Sequence, residues 1–96
     1  MNNDELRREA ARPDRLIEGE DPGDTDRSTA EHWLLVYGQL LKTKSGLLAD
    51  LRQGMTTMDP DARDEMAKTD EALLQAQVSR FHRRIAFWES RLVKEA

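Results

Sequence analysis

Four arginines and a lysine near one end of the chain are its strongest chemical signal. On a helical wheel Arg80, Arg83, Arg84, Arg91 and Lys94 fall within an arc of about 100°, with Phe87 inside it. Guanidinium groups on one helix face hold carboxylates or phosphates through paired N–H donors. An aromatic ring among them adds an apolar or stacking contact. The functional reading is a docking face for an acidic partner. Two structural readings weigh more heavily. Arginine stems can cover the apolar edge beside them, or the heads can pair with the chain's own acids at Glu18, Glu20, Asp21, Asp24 and Asp26.

The other chemistry-bearing residues form no pattern. His32 and His82 fall on polar faces, without a second histidine or a carboxylate at four-residue spacing, and read as solvated side chains. Met55, Met58 and Met66 cluster where a helical turn is expected and read as its apolar closure. With no cysteine there is no disulfide framework and no thiolate metal site. There is no glycine-rich phosphate loop, and no serine sits in a nucleophile motif. No catalytic, cofactor-binding or metal-binding residue is therefore expected, and the chain is expected not to be an enzyme. Catalysis would require a site built between helices from Arg, Lys and Gln. Small helical dimers of the chorismate-mutase type do this, and the chain shares size and class with them and nothing more.

The chain has 96 residues, a net charge of −4, 35% charged and 38% hydrophobic residues, so one small domain is the ceiling. Its longest apolar run, Trp33 to Tyr37, is far short of the roughly 20 residues that cross a bilayer. The start, from Met1 to Glu5, has neither the basic end nor the apolar stretch of an export signal, and a soluble, cytoplasmic protein is expected. The acidic balance disfavours a general nucleic-acid binder.

These residues must be positioned by helices. Residues 2–11 suit a short helix with Leu6 and Ala10 on one side, closed by Pro13. Residues 12–28 hold two prolines, two glycines and six acids, and read as a linker anchored only by Leu16 and Ile17. The first segment is accordingly 1–27, an arm, and the second is 28–96, a helical hairpin. Ser28 and Glu31 have the spacing of a capping box. From there an apolar stripe at helical spacing runs through Trp33, Tyr37, Leu40, Leu47 and Leu51, and predicts a helix over about 29–53, ended by Gly54. Asp59 and Pro60 open a second helix over about 60–95, as cap and first helical residue. Along it Leu74, Val78, Phe81, Ile85, Trp88 and Leu92 step by fours and threes, a coiled-coil seam.

The expected fold is all-α, an antiparallel coiled-coil-like hairpin with a short N-terminal helix or arm, dimerising into a four-helix arrangement. A turn centred near residue 57 puts Trp33 opposite Phe81, Tyr37 opposite Gln77 and Val78, and Leu47 opposite Met66. It also puts Lys44 opposite Asp70, two charges that interrupt apolar stripes and would fix the register as a pair. Roughly ten residues, about 15 Å of helix, then overhang the hairpin and carry Trp88 and Leu92, with Ile85 at the edge. An exposed tryptophan on a regular seam wants cover. The candidates are the Leu6, Leu16 and Ile17 segment, a second copy, or another protein.

The function expected is a non-enzymatic interaction module, and a bacterial regulatory or adaptor role suits such an object. Ile85, Trp88 and Leu92 would be the anchors, with Arg80, Arg84, Phe87 and Arg91 the flank that steers towards acids. Trp33, Tyr37 and Phe81 would pack the hairpin. A homodimer and an unidentified protein partner are implied, with no cofactor and no membrane. The alternative is a phosphate ligand or nucleic acid on the same basic face, which a steep salt dependence would reveal.

Overall fold

The structure is a computed structural model and describes residues 4, 5, 8, 12 and 15–95, with the backbone alone for 93–95. Leu6, Ala10 and Pro13, on which the expected N-terminal helix rests, lie outside the described residues, as does the side chain of Lys94. Among the described residues there are helices and no strand. Helix α1 spans Arg27–Met55, α2 spans Pro60–Met66, a π-helical turn spans Ala67–Glu71, and α3 spans Ala72–Glu95. The last three run on without a break, so the architecture is two rods joined by a four-residue turn, packed along their length.

Both rods begin on aspartate. Asp59 accepts from the Asp61 amide at 3.0 Å, and Pro60 takes the first helical position, where its missing N–H costs nothing. For α1 the cap is Asp26, and the expected capping box does not form. The Asp26 carboxylate accepts from the Ser28 amide and hydroxyl, both at 3.0 Å. Glu31 turns to Arg27 instead, at 3.1 Å. A carboxylate two residues upstream is a charged acceptor next to the positive end of the helix, and it outcompetes a serine hydroxyl.

Gly54 does not end α1. The helix runs on to Met55, and the Thr56 and Thr57 hydroxyls donate to the Gln53 and Gly54 carbonyls at 2.7 and 3.2 Å. With its last carbonyls satisfied this way, the helix needs no left-handed residue to terminate it, and among the described residues only Gly19 has positive φ. The second rod loosens at Ala67–Glu71. There the Thr69 hydroxyl donates to the Glu65 carbonyl, four residues back, at 2.8 Å and competes with the backbone ladder.

The later end of α1 and the extra residue held in the π turn change the register. Tyr37, not Trp33, meets Phe81, with ring centroids 5.9 Å apart. Nearer the turn Arg52 donates to Glu71 at 2.9 Å and to Gln75 at 2.7 Å. The rods are displaced by about one helical turn from the expected pairing. Lys44 and Asp70 consequently form no ion pair, and each is half-buried on its own rod. Among the described residues Arg52 and Glu71 make the ion pair between the rods. The overhang shrinks for the same reason. If Tyr37 is level with Phe81, Arg27 is level with Arg91, and about one turn of α3 stands beyond α1.

Packing is uneven. Ala30, Trp33, Tyr37, Phe81 and Trp88 form one buried cluster at the open end, and Ile17, Ile85 and Leu92 pack against it. Nearer the turn α1 buries only Leu48 and Met55, while Leu47 stays 49% exposed. The molecule is elongated, 52 Å on its long axis, and its radius of gyration is 16.0 Å. A compact chain of this length would have about 12 to 13 Å. No helix is long and apolar enough to cross a membrane among the residues described.

Candidate functional site

The stretch that reads as a linker is a folded strap across the open end of the hairpin. Its first turn is closed by the Glu20 amide donating to the Ile17 carbonyl at 2.9 Å. Gly19 sits in it at φ 89°, a left-handed position that suits glycine. The Ile17 amide donates back to the Glu20 carboxylate at 3.0 Å. The turn drops Ile17 onto the core and turns the Glu20 side chain inward.

A second turn follows from Asp21 to Asp24, with the Gly23 amide bound to the Asp21 carboxylate at 2.9 Å. Asp24 accepts from the Asp26 amide at 2.8 Å and from the Thr29 hydroxyl at 3.0 Å. Acids that look like solvating charge in the sequence are therefore capping and turn-forming groups, and they lead directly into α1.

Glu20 is the centre of the site, its side chain 0% exposed. One carboxylate oxygen accepts from Arg84 Nε at 3.2 Å, Arg84 NH2 at 2.7 Å and Trp88 Nε1 at 2.8 Å. The other accepts from the Tyr37 hydroxyl and the Ile17 amide. The clamp thus joins α1, α3 and the strap through one side chain. Burial pushes the Glu20 carboxyl up, but hydrogen bonds from Tyr37, Arg84, Trp88 and Ile17 together outweigh it and hold the carboxyl below its usual range. Tyr37 is pushed up to about 12 by burial and by the hydrogen bond and charge of Glu20. The carboxylate is ionised and both its oxygens are occupied. Held low and accepting on both oxygens, the carboxylate ties the strap to both rods.

The residues singled out in the sequence fall around this clamp. Trp88 is fully buried, covered within the chain by the strap. The premise that it offers exposed surface is therefore corrected, because Glu20 and the strap supply the cover. Arg84 is spent on Glu20, and Arg91 donates to the Pro22 carbonyl. Both stand over the Phe87 ring, at 4.5 and 4.9 Å from its centroid. Ile85, Phe87 and Leu92 are half-buried on the core, and Trp33, Tyr37 and Phe81 are buried in it. His32 meets the edge of Trp33 at 4.9 Å and is exposed, as is His82. Among the described residues no three potential ligands gather to hold a metal ion.

Arg80 departs from its expected place on a solvated flank. It is 3% exposed, its guanidinium lies 4.9 Å from the centre of the Phe81 ring, and its Nε and NH1 meet no acceptor. Burial and the like charge of Arg15 hold its pKa below the usual value. One turn back, Gln77 is 7% exposed and its amide oxygen meets no donor. The wheel groups Arg80 with Arg84 and Arg91, but it contains no strap and so cannot show that they are covered. Glu20 was visible only as one acid among several. The signal that could have marked it is its place three residues after Ile17, in a turn forced by Gly19 and followed by Pro22.

Comparison with protein-family models, with curated proteins and with solved structures finds no match to this chain.

Proposed function

We propose that this chain is a non-enzymatic protein-interaction module, cytoplasmic in setting, which self-associates through the hairpin into a four-helix arrangement and serves as a regulator or adaptor. The observation that carries this reading is unburied apolar helix. The accessible surface is 6502 Å² for a mass of 11.1 kDa. A compact monomer of that mass exposes about 5,700 Å². An elongated molecule exposes more surface than a compact one, and apolar side chains of α1 are part of what it exposes. Leu47 is exposed where the core thins towards the turn, and Leu35 is 61% exposed on α1. Two helices leave such leucines without a second layer, and a second hairpin supplies one.

The clamp supports the same reading from the other side. The buried Glu20 carboxylate between the helices is saturated by its own donors, which speaks against its use as a catalytic acid or base. Arg84 and Arg91 of the basic face are spent within the chain, which weakens the case for nucleic acid. Light scattering of the full chain at micromolar concentration tests the proposal. Twice the single-chain mass is expected, and Leu47→Asp should return it towards one chain. A single-chain mass for the parent protein would overturn the reading.

A further inference from the structure

The strap leaves part of the site beneath it unsatisfied. Arg80, buried, and Arg84, half-buried, lie four residues apart on α3, yet among the described strap residues Glu20 is the one buried acid, and its carboxylate goes to Arg84. An unpaired guanidinium is costly in such a place. Of the strap residues whose charges bear on Arg80, Arg15 repels it, while Glu20 attracts it but is already bonded to Arg84. As an occupant of its own groove, the strap is thus right at Glu20 and wrong at Arg15.

We propose that the groove under the strap is a receptor for a doubly acidic segment of a partner protein, with one carboxylate in the place of Glu20 and a second on Arg80. The strap is the occupant in cis, and the partner replaces it. The chemistry at each position is specific. Tyr37, Arg84 and Trp88 converge on the first carboxylate through hydroxyl, guanidinium and indole donors. Ile17 shows that an apolar residue three positions before that carboxylate seats on the core. Arg80 offers donors to the second acid, and the Gln77 amide oxygen suits a backbone N–H of the arriving segment. Neighbouring helical positions i and i+4 lie about 5 to 6 Å apart, so one short segment can reach both arginines. The inference rests on the chain being an interaction module but not on its self-association. A monomer that binds the probe below would keep it, and a dimer that does not would end it.

The test uses the full chain carrying Glu20→Gln, which weakens the cis occupant, and two synthetic peptides of residues 12–26. One has the native sequence and the other carries Arg15→Glu. Neither contains tryptophan, so fluorescence of the protein reports binding. The Arg15→Glu peptide should bind at least about tenfold more tightly, the gain of one added charge-assisted pair. Adding Arg80→Met to the protein should abolish that gain without weakening binding of the native peptide, whose Arg15 loses a like charge. The parent protein, its groove occupied, should bind both peptides more weakly than the Glu20→Gln chain.

Equal affinities for the two peptides, no binding of either, or a gain that survives Arg80→Met would each overturn the proposal. Should Glu20→Gln fail to fold, the same question is put in cis. Arg15→Glu in the otherwise native chain should raise the melting temperature, and should not do so when Arg80 is Met. A rise that persists with Arg80→Met, or no rise at all, would count against it equally.

Discussion

Glu20→Gln keeps the size of the side chain and removes its charge, so it isolates what the clamp contributes. Suppose the amide oxygen takes the place that now accepts from Arg84 and Trp88. The new NH2 then points at the Ile17 amide and the Tyr37 hydroxyl. The tyrosine can rotate to accept, but the Ile17 N–H is left facing a donor, and an unmade buried hydrogen bond costs roughly 1 to 3 kcal/mol. Arg84, with 14% of its side chain exposed, loses its counter-charge. Breaking a buried pair on one side costs roughly 3 to 5 kcal/mol, and peeling of the strap caps the loss by letting water reach the guanidinium.

A net destabilisation of about 3 kcal/mol is expected, against a total of roughly 5 to 14 kcal/mol for a chain of this size. Thermal unfolding followed by far-ultraviolet circular dichroism at neutral pH should show a fall of about 15 °C. Acrylamide should quench tryptophan emission more strongly at temperatures below the transition, because Trp88 loses its cover. A fall of only a degree or two with unchanged quenching would refute the reasoning, since it would mean that Glu20 is solvated and the strap is not clamped.

Stability should depend on pH at both ends. The Glu20 carboxyl is lowered in the fold, so its contribution is present above the ordinary carboxyl value near 4.5 and is lost as acid protonates it. Tyr37 is raised from 10.0 to about 12, so its contribution is intact below pH 10 and fades above it, by up to about 3 kcal/mol. Urea midpoints across the pH range should trace both limbs, and Tyr37→Phe should remove the alkaline one. Gly19→Ala should cost about 1 kcal/mol through its φ of 89° alone, since a Cβ there meets nothing within 4 Å. Chemical denaturation measures it, and an unchanged midpoint would contradict the strap turn. Arg52→Ala should cost less than about 1 kcal/mol, its side chain being half exposed, and Lys44→Ala still less. A larger effect for Lys44 in the same assay would restore the register pair expected from sequence.

Much of the scaffold was legible in the sequence because it follows from periodicity. Trp33, Tyr37 and Phe81 are buried where the helical spacing puts them, and Asp59 with Pro60 starts the second rod as their types dictate, whereas Trp88, expected on an exposed overhang, is buried under the strap. Register was not legible to within a turn. The position of an antiparallel pair depends on where the first helix stops and on how many residues the second spends per turn. Two threonine hydroxyls carried α1 past Gly54, and the Thr69 hydroxyl accompanies the π turn. Neither effect has a periodic signature.

The clamp was hidden for a different reason. Burying a carboxylate is unfavourable until the donors for it are assembled, and those of Glu20 come from positions 17, 37, 84 and 88. An acid in a proline- and glycine-rich stretch looks solvated unless that convergence is known. The sequence did raise the prospect that the basic end meets the acidic stretch, and Glu20 with Arg84 is one such meeting.

The central claim is that Glu20 reaches through the strap to hold the Trp88 indole in the interior. Hydrogen exchange of the Trp88 indole N–H, followed in nitrogen-edited magnetic resonance spectra, addresses that bond directly. The proton should exchange far more slowly than that of free tryptophan in the parent chain, and its protection should collapse in Glu20→Gln. An indole proton that exchanges at the free rate in the parent chain, or one whose protection is the same with and without the carboxylate, would contradict the account.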